Sequence, residues 1–120
     1  ILGFDGFQVA AHLETKLGIA GVGTAITGAR LYRGKAIAGL AGKLVAADWS
    51  ADFRKTSGQI FVATPAAEPG KTWPYERALQ LDSRVVGLAE DSAGEIYVLT
   101  NETFGPYGDT GKVFKLVEKP

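Results

Sequence analysis

The sequence predicts an all-β protein made of two four-stranded antiparallel blades of a β-propeller, which do not close a ring by themselves. A pattern of glycine, a polar residue, an aliphatic residue and then an aromatic residue or valine begins at Gly42, Gly58, Gly94 and Gly111. The first and third copies, like the second and fourth, lie about 50 residues apart, which is the length of a blade with several short strands. The pattern therefore favours two consecutive blades over a sandwich.

The clearest hairpin lies in Val85–Thr100, where two runs of β-favouring residues flank Asp91-Ser92-Ala93-Gly94. Glycine adopts positive φ at little cost, and the side chains of Asp and Ser bond back to the turn backbone. This stretch therefore predicts a strand, a tight turn and a second strand. The rest of the chain is interpreted around it.

The predicted elements divide the chain into residues 1–23, 24–81 and 82–120. The strands expected in the first blade are Thr24–Gly34, Lys43–Trp49, Gln59–Thr64 and Tyr75–Leu81. Those expected in the second, incomplete blade are Arg84–Glu90, Glu95–Asn101 and Lys112–Val117, with no clear fourth strand. Propellers avoid an open sheet edge by completing the last blade with a strand from elsewhere.

The N-terminal segment, residues 1–23, offers one source for such a strand. Gly6–Ala11 alternates loosely and fits a closing strand or a partner contact, while Ala10–Leu17 fits a short helical turn equally well. A strand from another chain is the alternative to Gly6–Ala11. The lone His12 also lies in this segment, where we expect a surface or packing residue rather than a catalytic base.

Composition narrows the classes of partner. Thirteen basic residues balance thirteen acidic ones without a long charge run, so nothing predicts nucleic acid as a partner. The chain has no Cys, which excludes disulfides and thiol chemistry within it, and no apolar run is long enough to span a bilayer. It begins at Ile1 and contains no Met, so we expect a cleaved product or a fragment of a longer polypeptide.

Several segments in one order carry a family resemblance. They are Tyr32-Arg33-Gly34, Asp48-Trp49-Ser50, Gly94–Thr100 and Thr110–Leu116. Over roughly Gly23–Glu118 the sequence resembles the C-terminal end of glucose/sorbosone-dehydrogenase-like propellers, close to the branch that resembles Hedgehog-interacting-protein-like propellers. The resemblance implies a periplasmic or extracellular, six-bladed protein of which this chain supplies two blades.

The resemblance also implies a chemistry. Enzymes of this family oxidise aldoses with pyrroloquinoline quinone (PQQ), a Ca²⁺ ion and a His base, and pass electrons to acceptors such as c-type cytochromes. The catalytic His belongs to a part of the family sequence that this chain lacks, so no catalytic or metal-binding residue is assigned here. PQQ and Ca²⁺ are expected only in a full parent protein, not within this chain.

The candidate cofactor-binding residues are Arg84, Arg33 and Trp49. The cofactor is a tricarboxylate, so its pocket needs cations. Arg84 matches the first Arg of the family's Arg-x-Arg strand start, whereas Val86 stands at the second. The family's Lys falls near Asp48 and Trp49, where an acid would repel a polyanion.

Other patterns have simpler interpretations. Glu90 and Asp91 could together ligate Ca²⁺, but we favour Asp91 as a turn residue and Glu90 as solvent-facing. Trp49 and Trp73 are interpreted as blade-packing aromatics in preference to a sugar-stacking platform. A single His and no Cys exclude a zinc set of the usual kind, and the glycines at Gly18, Gly21 and Gly23 lack the preceding strand and following long helix of a phosphate-binding loop.

Two functions remain open. The chain is either the C-terminal part of a sugar-oxidising propeller enzyme or part of an inactive propeller that serves as a structural or protein-binding module. A two-blade piece exposes two broad apolar faces. We therefore expect it to pack against the remaining blades on another chain or to form a homo-oligomer.

Overall fold

Two antiparallel sheets make up the part of the chain that the computed structural model describes, residues 23–120. The first sheet has four strands in sequence order: β1 (Ile26–Leu31), β2 (Leu44–Asp48), β3 (Gln59–Ala63) and β4 (Tyr75–Gln80). The second sheet has three, also in order: β5 (Arg84–Glu90), β6 (Ile96–Asn101) and β7 (Lys112–Lys115). A 3₁₀ turn at Ala38–Leu40 is the one helical element within these residues.

The all-β class and the two consecutive antiparallel sheets are confirmed, and neither sheet closes on itself. The prediction of four strands holds for the first sheet, whereas the second has three within residues 23–120. The expectations for Gly6–Ala11, Ala10–Leu17 and His12 lie outside the described residues. No helix within the described range is long and apolar enough to cross a membrane.

The first strand is shorter than its predicted range, Thr24–Gly34, at both ends. Before β1, the backbone N–H groups of Thr24 and Ala25 donate to the Asp48 side chain rather than to a ladder partner. After β1, the chain turns away towards the 3₁₀ segment. Side-chain acceptors, which sequence periodicity does not register, therefore set one boundary.

Strands β2 and β3 are buried along their whole length. Their sequences, LVAAD and QIFVA, are nearly continuous apolar runs, which is the pattern of a strand covered on both faces. One face belongs to the cluster between the two sheets, formed by Tyr32, Val45, Ala47, Ile60, Val85, Ile96 and Val98. The opposite face belongs to a second cluster, formed by Leu44, Ala46, Phe61 and Ala63 with Ile26, Ala29 and Trp73 against it.

The two sheets approach each other closely along their first strands, β1 and β5. A Cβ atom added to Gly28 would lie 3.2 Å from both the backbone nitrogen and Cγ of Leu88. Beside this contact, the Thr27 hydroxyl donates to the Val85 carbonyl at 2.9 Å. The absence of a side chain at Gly28 therefore lets the backbones of the two sheets come together.

A glycine at the junction of the sheets gives a stability test. A Cβ at Gly58 would lie 2.5 Å from the Ser83 carbonyl oxygen and 2.7 Å from Cγ2 of Val85. Because a backbone atom blocks the space, we expect Gly58→Ala to lower the free energy of unfolding by about 1–3 kcal/mol.

Gly39→Ala is the matched control, since a Cβ there meets nothing within 4 Å, and we expect it to change stability by less than about 0.5 kcal/mol. Urea unfolding followed by circular dichroism at one protein concentration measures both variants. Equal midpoints for the two would contradict the packing described for Gly58.

Candidate functional site

The candidate site is a group of aromatic rings around Arg84, here called the Arg84 cluster: Arg84, Trp49, Phe53 and Phe104. It lies where β2 ends and β5 begins, because the Val85 N–H donates to the Trp49 carbonyl at 3.1 Å. The Arg84 guanidinium carbon lies 4.9 Å from the Trp49 ring centroid and 5.5 Å from that of Phe104. Two aromatic faces therefore stabilise this positive charge through cation–π contacts.

Arg84 is buried, with only 6% of its surface exposed. Its Nη1 donates to the Glu102 carbonyl oxygen at 2.9 Å, whereas its Nε is buried without a hydrogen-bond partner. Among residues 23–120, the ion pairs to a carboxylate involve Arg30 and Arg33, not Arg84. The guanidinium thus retains an un-neutralised charge and an unpaired donor within this part of the chain.

The rings of the Arg84 cluster also form an exposed apolar surface. Phe53 and Phe104 are 58% and 54% exposed. Their centroids lie 5.0 Å apart, and each lies 5.4 Å from Trp49. A surface of aromatic rings over a buried cation suits a ligand with an apolar or planar body and an anionic group.

Asp48, the neighbour of Trp49 in sequence, is buried and serves the fold. Its Oδ1 accepts the backbone N–H groups of Thr24 and Ala25 at 2.9 and 3.0 Å, and its Oδ2 accepts from Nε2 of Gln59 at 2.8 Å. A side chain at Gly23 would collide with this carboxylate. The acid therefore anchors the start of the first strand.

Arg33 lies at the other end of the sheets from Arg84. It follows β1, whose six residues span about 20 Å at about 3.3 Å per residue, whereas Arg84 begins the neighbouring strand β5, which lies beside the start of β1. The Arg33 side chain is 68% exposed and pairs with Glu90. Of the three predicted cofactor-binding residues, the structure brings Arg84 and Trp49 together and leaves Arg33 apart.

The interpretation of Glu90 as a solvent-facing residue is wrong. Its side chain is only 11% exposed, since it pairs with Arg33 and lies 3.9 Å from Nη1 of Arg30. β1 and β5 lie side by side and run in the same direction, which brings their ends together, and no sequence pattern indicates that pairing. Glu90 therefore links the two sheets.

Asp91, in contrast, is the predicted turn residue. Its Oδ1 accepts the N–H groups of Ala93 and Glu95 at 2.9 and 3.0 Å, and Gly94 has a φ of 84°. The hydrogen bond from the Glu95 backbone, with a second bond from the Tyr97 hydroxyl at 3.0 Å, lowers the pKa of Asp91.

Residues 23–120 contain no group of three His, Cys, Asp or Glu side chains that could hold a metal.

Sequence reasoning missed a buried pair at the same end, Tyr32 and Glu95. The Tyr32 hydroxyl donates to Oε1 of Glu95 at 2.5 Å, while Oε2 accepts the backbone N–H groups of Lys35 and Ala36 at 3.0 and 3.1 Å. The Tyr32 hydrogen bond lowers the pKa of Glu95. The pKa of Tyr32 is raised, mainly because the hydroxyl is buried and, to a smaller extent, because it bonds to Glu95. In the sequence, the two residues lie in the segments Tyr-Arg-Gly and Gly-Glu-Ile-Tyr, and neither segment indicates that Tyr32 and Glu95 form a pair.

No protein-family model, curated protein or solved structure matches this chain in the comparisons. The sugar-dehydrogenase-like interpretation therefore rests on the residues themselves.

The Tyr32–Glu95 pair can be tested by mutation. Tyr32→Phe keeps the ring but removes the hydroxyl that donates to Glu95 and accepts from the Ile37 N–H at 2.9 Å. Because a buried carboxylate then loses a donor, we expect the free energy of unfolding to fall by about 1–3 kcal/mol. Tyr75→Phe, in which an exposed tyrosine changes in the same way, is the control. Equal effects of the two substitutions would contradict the pairing.

The pKa directions predict how stability depends on pH. Glu95 and Asp91 have lowered pKa values, so the stability they contribute is complete above their ordinary values near 4.5 and 3.8 and is lost as the pH falls through the folded-state values. Tyr32 has a raised pKa, so its contribution is lost as the pH rises through that value.

We therefore expect Glu95→Gln with Asp91→Asn to flatten the acid limb of a plot of unfolding free energy against pH. Lys119→Gln, which removes no carboxylate, should retain the wild-type slope. An acid limb unchanged in the double variant would contradict the assignment.

Proposed function

We propose that this chain supplies two neighbouring blades of a larger, sugar-dehydrogenase-like propeller and acts there as a structural and binding module. In this proposal its own residues are not catalytic. The observation that carries it is the apolar outer face of the second sheet, defined as the face turned away from the first sheet.

The outer face of the second sheet has an unusual composition. Ala89 pairs with Tyr97, and Leu99 pairs with Val113, so these four side chains share the face opposite to the buried Ile96 and Val98, with Lys115 beside them opposite Tyr97. Val113 is 66% exposed. An antiparallel sheet with one face in water normally carries polar residues there. An apolar outer face instead supports a neighbouring sheet packed against it.

The arrangement of the strands supports the same proposal. Each sheet is a meander, a short connection from Leu81 to Ser83 joins the two, and their first strands make the close contact at Gly28. Adjacent propeller blades are consecutive meanders packed against each other, so this arrangement supports the proposal.

The roles of the charged residues favour binding over catalysis. Asp48 and Glu95 anchor backbone N–H groups, and Glu90 pairs with Arg33. These groups are committed to the fold and are not poised for proton transfer, which requires a group within reach of a substrate. Arg84 is the buried charge that retains binding capacity.

Sedimentation velocity of the full chain tests the proposal that it is a binding module. We expect association that grows with concentration and weakens by at least about tenfold in Leu99→Lys, because the substitution places a charge in the apolar contact. Val117→Lys, at a residue 70% exposed and beyond the last strand, is the matched control. A wild-type chain that stays monomeric at all concentrations would contradict the proposal.

A second candidate function is favoured by Arg84 itself. In a sugar-oxidising, periplasmic or extracellular parent protein, this guanidinium, which has no carboxylate partner among residues 23–120, would contact a carboxylate of PQQ, with Trp49 beside the planar ring system. Arg33 fits that role poorly because it lies at the opposite end and pairs with Glu90. Among the residues described here, Arg84 is therefore the one candidate cation for contact with the tricarboxylate. Bound PQQ with Ca²⁺ would supply the chemistry of aldose oxidation and electron delivery to a c-type cytochrome.

Titration of the full parent protein with PQQ and Ca²⁺, followed by absorbance, separates the two functions. The enzyme function predicts saturable binding that is lost in Arg84→Met and retained in Arg33→Met. The structural module predicts no saturable binding in either variant or in the wild-type chain.

A further inference from the structure

The third strands of the two sheets, β3 and β7, begin with the same pattern but differ in burial. Gly58-Gln59-Ile60-Phe61 leads into β3, and Gly111-Lys112-Val113-Phe114 leads into β7. Every residue of β3 is buried, whereas every residue of β7 is exposed. In the first sheet β4 pairs with β3, and no strand of residues 23–120 pairs with the far side of β7. The far side of β7 is called here the free edge.

Backbone hydrogen-bonding groups line the free edge. The Leu116 N–H donates to the Ile96 carbonyl at 2.9 Å, and the bonded pairs of an antiparallel ladder alternate along the strand. Phe114 therefore bonds to β6 through its backbone, while the N–H and C=O groups of Val113 and Lys115 point to the free edge. Unpaired groups of this kind are a template for a further strand.

The side chains of β7 restrict which strand fits. Lys112 and Lys115 flank Val113 and Phe114, and neither lysine forms an ion pair with a carboxylate of residues 23–120. The sequence of β7, KVFK, contains no acidic residue, so an antiparallel second copy of β7 places no carboxylate opposite either lysine. Charge complementarity thus favours a different sequence with acidic residues at these positions.

We propose that the free edge of β7 accepts an extended segment of a partner polypeptide that carries acidic residues opposite Lys112 and Lys115 and apolar residues opposite Val113 and Phe114. Backbone bonds to Val113 and Lys115 supply the attachment, and the two lysines supply the selectivity. This strand-acceptor role requires only an unpaired edge. It therefore holds whether or not the two sheets are propeller blades.

A pair of short peptides tests the selectivity. The probe is fluorescein-labelled Thr-Glu-Val-Val-Glu-Thr with blocked ends, and its control carries lysine in place of both glutamates. We expect the full chain to bind the glutamate peptide about tenfold more tightly at low ionic strength, measured by fluorescence anisotropy. In Lys112→Glu with Lys115→Glu the preference should reverse. Equal binding of both peptides, or of neither, would overturn the proposal.

A backbone variant tests the attachment. Val113→Pro removes an N–H that points to the free edge and leaves the ladder with β6 intact, so it should abolish peptide binding. Val113→Thr retains that N–H and should bind like the wild-type chain. The charge-reversal variant keeps the proposal testable if Val113→Pro fails to fold.

Amide hydrogen exchange distinguishes the proposed partner segment from other possible occupants of the free edge. The Val113 and Lys115 amides should exchange quickly in the free chain and slow down when the glutamate peptide is added. Slow exchange in the free chain at every concentration would assign the edge to the chain's own residues 1–22, and protection that rises with concentration would assign it to a second copy. Either result would overturn the proposal, while association through Leu99 would remain a separate measurement.

Discussion

The close contact between β1 and β5 at Gly28 and Leu88 is the constraint on which the rest of the structure depends. A Cβ atom at Gly28 would lie 3.2 Å from the Leu88 backbone, so the two sheets would have to move apart by a few tenths of an ångström to admit a side chain there. The Thr27 hydroxyl bonded to the Val85 carbonyl fixes the register beside it. This register brings Arg84 to Trp49 at one end of the sheets and Glu90 to Arg33 at the other.

Buried carboxylates anchor the loops at both ends in the same way. Asp48 accepts the two N–H groups that follow Gly23, and Glu95 accepts the two that follow Gly34. In each case a side chain on the glycine would occupy the space of the carboxylate. A buried charge is stable only where it is paired or hydrogen-bonded. Arg84 is buried in a different way, because aromatic faces rather than an acid contact its guanidinium.

The sequence predicted the strands well because each is a compact run of β-favouring residues bounded by glycine or a turn residue, as at Asp91 and Gly94. It also grouped Trp49, Arg84 and Arg33 as cofactor-binding residues, and the structure brings the first two together but not the third. It could not predict that Glu90 meets Arg33, or that Glu95 meets Tyr32, because these pairs join residues about 60 positions apart through the packing of one sheet on another. Local periodicity contains the strands but not the register between sheets.

The most direct test of this packing is a nuclear Overhauser measurement on the isotopically labelled full chain. We expect strong cross-peaks from the Gly28 α-protons to the Leu88 amide and side chain, because a Cβ atom at Gly28 would lie 3.2 Å from both. These cross-peaks should appear together with those between paired strands within each sheet. Cross-peaks within both sheets but none between Gly28 and Leu88 would show that the sheets do not pack through their first strands, and would contradict the account.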